Sequence, residues 1–338
     1  MNNALSELLA EKGVLLADGA TGTTLFDMGL TSGDSPEFWN DIKPENIAKL
    51  HQGFVDAGSD IILTNTFGGT RHRLKLHHAQ DRVFELNEKG AQIAREVADA
   101  ADRKVIVAGS VGPTGELLEP LGVLTKKEAE EAFVEQMEGL KSGGADVIWI
   151  ETMSSQDEIE AAANAAEKVE MPYVVTASFD TAGKTMMGLP PSALEGVFSS
   201  NINKPFAVGA NCGVGASDLL SSVLDMTEAS PDAVIVAKAN CGIPVIQGEK
   251  VVYTGTPELM YDYTCMAIDA GAKIIGGCCG TSCDHLVYMR KALDDHKDAE
   301  DKKRPSVDEI IAKIGPMKNA TSAANDAQAP RERKGRRR

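Results

Sequence analysis

The sequence predicts a (β/α)8 TIM barrel followed by a charged C-terminal tail, and three observations carry this. Short apolar runs rich in Val and Ile recur eight times, at 14–17, 61–64, 105–108, 147–150, 173–177, 207–210, 234–237 and 273–275. Their brevity, their Gly, Asp or Pro punctuation and their near-continuous apolarity suit parallel strands buried on both faces. Charged, Ala-rich segments with helical spacing separate them, at 126–139, 155–170 and 257–270 and in runs beginning at Pro44 and His77. The length agrees, since about 315 residues before the tail make one such barrel with insertions. An open doubly wound sheet uses the same alternation and is the runner-up; counting to eight favours the barrel.

In chain order, the first run leads into Asp18-Gly19-Ala20-Thr21-Gly22-Thr23. Asn40 or Asp41 ahead of Pro44, and Thr125 followed by Glu128, supply helix starts with a capping residue. Segments 111–126 and 242–256 are rich in Gly and Pro and follow strand ends, where barrels keep their chemistry. After Asp294 the pattern decays into a charged stretch, a short amphipathic helix around 307–314, and finally Arg-Glu-Arg-Lys-Gly-Arg-Arg-Arg. The expected division is a barrel over 1–315 and a disordered basic tail over 316–338.

Composition excludes several classes. The chain of 338 residues carries 34 Lys and Arg against 50 Asp and Glu, a formal charge of -16. The segment 316–338 holds seven basic and two acidic side chains, so the body is more acidic than the total. Such a body repels phosphate backbones, and no nucleic-acid partner is expected. Six cysteines are too few for a disulfide scaffold, and no apolar signal region opens the chain. Reduced thiols and a cytoplasmic location follow. No stretch approaches about 18 consecutive apolar residues, so no membrane span is expected. A homo-oligomer is compatible with all of this.

The cysteines are unevenly placed. Cys212 ends the sixth strand, while Cys278 and Cys279 end the eighth in Gly276-Gly277-Cys278-Cys279-Gly280-Thr281. Alternate strands of a barrel share side-chain layers, so these ends approach one another across the rim. Neighbouring residues on a regular strand point to opposite faces, so both Cys278 and Cys279 reach one ion only where the backbone turns, as flanking glycines allow. Three thiolates with an open fourth position suit a catalytic Zn2+. Buried packing is the alternative for any cysteine; Cys241, Cys265 and Cys283 read as ordinary thiols, with Cys241 near the rim. Asp18 beside a glycine turn, with Glu151 on the same rim, suits the ammonium and carboxylate of an amino acid, and capped helix starts are the alternative. Gly19 and Gly22 form neither a P-loop nor a complete dinucleotide motif.

These residues, together with Glu151-Thr152 and Gly209-Ala210-Asn211-Cys212, resemble the homocysteine S-methyltransferase family from about residue 12 to 292. Within it the chain looks most like bacterial betaine-homocysteine methyltransferases, through Leu63-Thr64-Asn65-Thr66-Phe67-Gly68-Gly69-Thr70 and Ala108-Gly109-Ser110-Val111-Gly112-Pro113. The resemblance implies Zn2+ held by Cys212, Cys278 and Cys279, and homocysteine oriented by Asp18, the Gly19 backbone and Glu151. It also implies an active-site role for Asn240, which as a residue type equally suits a turn.

The implied reaction moves a methyl group from glycine betaine to homocysteine, giving dimethylglycine and methionine. Apart from the zinc-activated substrate thiol it requires no catalytic side chain, since a cationic donor leaves as a neutral amine or sulfide. His51, His72, His77 and His78 are accordingly expected at the surface. Animal-type betaine enzymes carry tyrosines where this chain has Thr152 and Thr70, so the donor site departs from that pattern. A quaternary ammonium favours aromatic faces, and Phe26, Phe38, Trp39, Phe67 and Tyr253 are candidates. The alternatives are S-methylmethionine or another sulfonium as donor, a phosphate-binding lyase or isomerase, a Schiff-base enzyme using Lys238, and a non-enzymatic zinc-binding regulatory barrel. Within this length no cobalamin module is expected; a separate corrinoid protein stays open.

Overall fold

The eight apolar runs all become strands. In the computed structural model, which describes residues 3–318 except 200, 248, 249, 298, 300 and 301, they form one eight-stranded parallel sheet. The strands are β1 (Leu15–Leu16), β2 (Ile61–Leu63), β3 (Ile106–Val111), β4 (Val147–Met153), β5 (Tyr173–Ala177), β6 (Ala207–Cys212) and β7 (Ile235–Ala239). An antiparallel hairpin of β8 (Pro244–Gln247) and β9 (Lys250–Tyr253) intervenes before the last member, β10 (Ile274–Gly277). The order β1-β10-β7-β6-β5-β4-β3-β2 closes on itself, because Ala17 bridges Ile61 in parallel and the Asp60 N–H donates to the Leu16 carbonyl at 2.7 Å. The architecture is therefore the TIM barrel and not the open sheet. The hairpin is a departure from the loop expected over 242–256; Pro244 tolerates its first position because a strand start can forgo an N–H.

Twelve α-helices stand among the described residues. The first, α1 (Ala4–Lys12), starts on a capping box between Asn3 and Ser6. Its Leu5 and Leu8 pack against the lumen residues Leu15, Ile61, Ile106, Val147 and Trp149, sealing the amino-terminal end of the barrel. Fully burying each leucine contributes about 1.5–3 kcal/mol. The others are α2 (Thr21–Asp27), α3 (Trp39–Ile42), α4 (Pro44–Asp56), α5 (Arg71–Lys75), α6 (Val83–Ala100), α7 (Lys126–Ser142), α8 (Gln156–Lys168), α9 (Ala216–Ala229), α10 (Pro257–Asp269), α11 (Cys283–His296) and α12 (Val307–Ile314). Their apolar faces and the outward faces of the strands form the second, larger core.

Two helix starts differ from expectation. Thr125 and Glu128 make the expected capping box, but α4 begins after Lys43 with no side-chain cap. Asn40 and Asp41 lie inside α3 with other duties: Asn40 donates to the carbonyls of Asn65 and Leu86, and Asp41 pairs with Arg82 and Lys89. The run from His77 yields a helix only from Val83, because α5 and a single 3-10 turn occupy the preceding residues. At the other end α12 lies where expected; Ser217 Oγ donates to the Gly315 carbonyl at 2.7 Å and the Lys318 N–H to Asp218 at 3.1 Å. The disorder expected of the basic tail falls on 319–338, outside the described residues. No helix among the described residues is long and apolar enough to cross a membrane.

His51 corrects the expectation of surface histidines. It shares the buried face of α4 with Ile47, Leu50 and Phe54, and neither ring nitrogen has a hydrogen-bond partner among the described residues. Burial pushes its pKa down to about 4 from 6.5. A depressed histidine costs nothing above pH 6.5, where both folded and unfolded chains are neutral there. Between 6.5 and 4 the unfolded chain takes up a proton that the folded chain refuses, so stability falls with pH. Over that window the loss is about 3 kcal/mol. Urea unfolding at pH 7.5 and pH 4 should therefore show His51→Leu losing about 3 kcal/mol less than wild type; equal losses would show that His51 is not the titrating group.

Candidate metal and substrate site

The carboxyl ends of the strands surround a cavity of about 490 Å³, in the range of small-molecule sites. The sulfurs of Cys212, Cys278 and Cys279 lie within 4.8 Å of one another on its wall. They come from the ends of β6 and β10, as the order of strands predicts. Beyond Gly277 the backbone leaves strand geometry: the Thr281 N–H donates to the Cys278 carbonyl at 3.1 Å, and Gly280 adopts φ +81°. This turn brings adjacent cysteines to one side. Cys212 itself has φ +60°, a left-handed conformation that a non-glycine residue adopts at a cost of about 1–3 kcal/mol.

The three thiols fit a zinc ion. Tetrahedral Zn–S bonds of about 2.3 Å separate sulfurs by roughly 3.8 Å, within the observed bound. Without a cation between them the thiols cannot all ionise: hydrogen bonds with Cys278 and Cys279 push Cys212 far above its usual range. Of the remaining cysteines, Cys241 is buried, Cys265 and Cys283 are half-buried, and none of the three lines the cavity.

Asn211 ties two strand ends together. Its Oδ1 accepts from the Thr152 N–H at 2.8 Å and Thr176 Oγ1 at 2.7 Å, while its Nδ2 donates to Thr152 Oγ1 at 2.7 Å and faces Cys278 Sγ at 3.9 Å. Thr152 is left-handed too, φ +59°, beside a register irregularity in β4. That irregularity lets consecutive residues, Glu151 and Thr152, both line the cavity.

Asp18 and Glu151 do not cap helices; α2 follows Ala20 and α8 follows Ser155. Asp18 is buried and accepts from Lys238 Nζ and the Leu63 N–H, both at 2.7 Å. Burial alone would lower the Lys238 pKa, but the Asp18 and Glu151 carboxylates outweigh it and raise it. Lys238 is thus a buried ammonium in an ion pair. Glu151 opens on the cavity and accepts from Ser110 Oγ at 2.5 Å; desolvation by the surrounding protein pushes it up to about 7. Gly19 makes a close approach: a Cβ there would lie 2.4 Å from the Thr281 carbonyl oxygen. Asn240 is buried behind the wall, donating to the Gly213 carbonyl at 2.8 Å, and its side chain does not line the cavity.

The sequence offered Lys238 only as the lysine of an alternative Schiff-base enzyme, and gave Ser110 and Asn211 no role beyond the motifs that contain them. A lysine within the apolar run of β7 was the available signal, because a buried ammonium needs a carboxylate partner. Of the five aromatic candidates Phe67 lines the cavity, and the Tyr253 hydroxyl hydrogen-bonds Cys279 at its wall. Phe38 instead stacks edge-on with His77, and Trp39 is buried beneath Lys43.

A family model described as homocysteine S-methyltransferase matches residues 15–293. Among curated proteins, the chain is 30% identical over 306 residues to a methionine synthase of Mycobacterium leprae (strain TN), covering 86% of this chain and 25% of that protein. It is 29% identical over 313 residues to the methionine synthase of Mycobacterium tuberculosis (strain ATCC 25618 / H37Rv), covering 88% and 26%. The chain therefore spans about a quarter of the length of these relatives. Among solved structures, the homocysteine methyltransferase MmuM from Escherichia coli matches in its oxidized and metallated forms. Each has a TM-score of 0.72 and 23% identity and covers 86% of this chain and 99% of that one, a likeness of fold.

Proposed function

The chain belongs to the homocysteine S-methyltransferase family, and from that premise we propose that it is a methyltransferase that uses Zn2+ to transfer a methyl group from glycine betaine to homocysteine. The observation that carries this reading is the meeting of three cysteine sulfurs with the Glu151 carboxylate in one cavity. Cys212, Cys278 and Cys279 would hold the metal. When bound it keeps the homocysteine sulfur ionised at neutral pH, where a free thiol of pKa about 8.5 is mostly protonated.

The chain's own groups place the amino acid. Glu151 receives the substrate ammonium, whose charge favours the ionised carboxylate against the desolvation that raises its pKa. Asp18 already accepts two hydrogen bonds, yet a carboxylate offers about four lone-pair sites, so it can still face the ammonium beside the Gly19 backbone. Burial raises the Asp18 pKa, and the Lys238 ammonium beside it opposes that rise. Asn240 acts at one remove from the substrate, as a positioning residue that holds the Gly213 carbonyl in the loop after Cys212. In the transfer, a sulfur–carbon bond forms and a carbon–nitrogen bond breaks, with the electron pair leaving on the amine. Dimethylglycine departs without needing a proton, so no general acid is required.

A sulfonium donor, S-methylmethionine or dimethylsulfoniopropionate, is favoured by one observation: among the described residues the cavity lining offers a quaternary ammonium one aromatic side chain, Phe67, while Tyr253 meets the site through its hydroxyl at Cys279. Purified enzyme with zinc and homocysteine, offered each donor in turn, separates the readings by the methionine formed. Betaine turnover supports the leading one, and turnover with sulfonium donors alone replaces it. Methionine from none of them would point to a methyl group delivered by a separate protein.

A further inference from the structure

We propose that Arg73 is the specificity-determining residue for the methyl donor, binding a carboxylate at the far end of a small zwitterionic onium compound. The inference rests on the small-donor reading above and narrows it to one chemical class.

The cavity has two ends of different character. Asp18, Lys238 and the thiols lie at its inner end, whereas Asp34, Phe67, Arg73 and Leu76 are exposed side chains that also line it, marking its mouth. A donor must turn its methyl group inward, to meet a sulfur held near the cysteines. Its opposite end then faces the mouth. In betaine and in dimethylsulfoniopropionate that opposite end is a carboxylate, and in S-methylmethionine it is a carboxylate beside an ammonium.

Arg73 is the cation placed to receive it. Lys238, the other strong cation lining the cavity, is committed to Asp18. Two residues before Arg73, Arg71 points elsewhere and grips Glu135 through two hydrogen bonds of 2.8 and 3.0 Å. Arg73, by contrast, forms no ion pair among the described residues, although the chain carries an excess of carboxylates. Its side chain runs close over Gly115, with Cδ and Nη1 3.1 Å from the place a Cβ would take there, and its backbone N–H donates to Thr70 Oγ1 at 3.4 Å. The guanidinium thus stands at the mouth with no ion pair among the described residues, its donors unspent. Its planar fork suits a carboxylate, and Phe67, which lines the same mouth, offers a ring face to the onium centre.

The test uses the full chain loaded with zinc, comparing wild type with Arg73→Met and Arg73→Lys. Steady-state kinetics are measured with betaine and dimethylsulfoniopropionate, and with the methyl ester of each, in which the carboxylate charge is masked. We expect Arg73→Met to raise the KM for the carboxylate donors roughly ten- to hundredfold, the range of one charge-assisted contact. The homocysteine KM should stay unchanged, and Arg73→Lys should recover part of the loss. The esters should lose no further efficiency on substitution. Wild type that turns over these donors while Arg73→Met keeps the same donor KM overturns the assignment and leaves the small-donor reading standing. An equal loss for acids and esters overturns it too, by showing a steric and not a charge role. Wild type that makes methionine from no carboxylate-bearing onium donor overturns the small-donor reading and the assignment with it.

Discussion

Cys278→Ala and Cys279→Ala should each lose the bound metal and at least roughly a thousandfold in methionine formation, since the variant forfeits both thiol ionisation and the placement of the sulfur. Two remaining thiolates are too few for a stable site of this type. The fold should survive, because both residues are half-buried and their hydrogen bonds to the neighbouring strand end, Cys278 N–H to the Ala239 carbonyl and Cys241 N–H to the Cys279 carbonyl, are backbone bonds that alanine keeps. Cys265→Ala is the matched control: that thiol is also half-buried but stands outside the cavity. It should keep one metal per chain and full activity. Metal content and unfolding temperature measured on the same preparations decide the matter. A Cys278→Ala protein that keeps its metal, or keeps its activity after losing it, would remove the basis of the proposed chemistry.

The second large effect is on stability. Lys238→Met leaves Asp18 buried with the Leu63 N–H as its remaining hydrogen-bond donor and no counter-charge. Breaking a buried pair in this way costs about 3–5 kcal/mol, a fall of roughly 10 °C in unfolding temperature for a domain this large. Adding Asp18→Asn to Lys238→Met removes the stranded charge and should recover most of that loss, since a pair replaced on both sides costs far less than a pair broken on one. The double variant should still bind homocysteine poorly, which separates stability from function. Unfolding of Lys238→Met at the wild-type temperature would show that the pair contributes nothing.

The barrel was legible because parallel strands covered on both sides must be apolar along their length, and nothing else in the chain has that pattern. Strand ends were less so. β3, β4 and β6 run on through Ser110, Glu151 and Asn211, polar residues that the apolar pattern excludes and that the cavity or its wall requires. The cysteine cluster was readable from position, since ends of alternate strands meet across a barrel. The Asp18–Lys238 pair, 220 residues apart, was not: it depends on β1 and β7 flanking β10, an adjacency set by closure. His51 was readable and missed, because Ile47, Leu50, His51 and Phe54 fall at the i, i+3, i+4, i+7 spacing of one helix face. The basic tail and the acidic body revealed nothing of the donor; Phe67 was among the aromatic candidates, whereas Arg73 sits among the basic residues of α5 and stands out only where the fold sets it on the cavity.

The central claim is that three cysteine sulfurs hold a metal that takes the homocysteine sulfur as its fourth neighbour. Zinc-edge X-ray absorption on the loaded enzyme, recorded before and after adding homocysteine, tests it most directly. The account predicts three sulfur neighbours before and four after, with no change on adding homoserine, which carries oxygen in place of sulfur. A sulfur count unchanged by homocysteine, under conditions where the enzyme is making methionine, would contradict it.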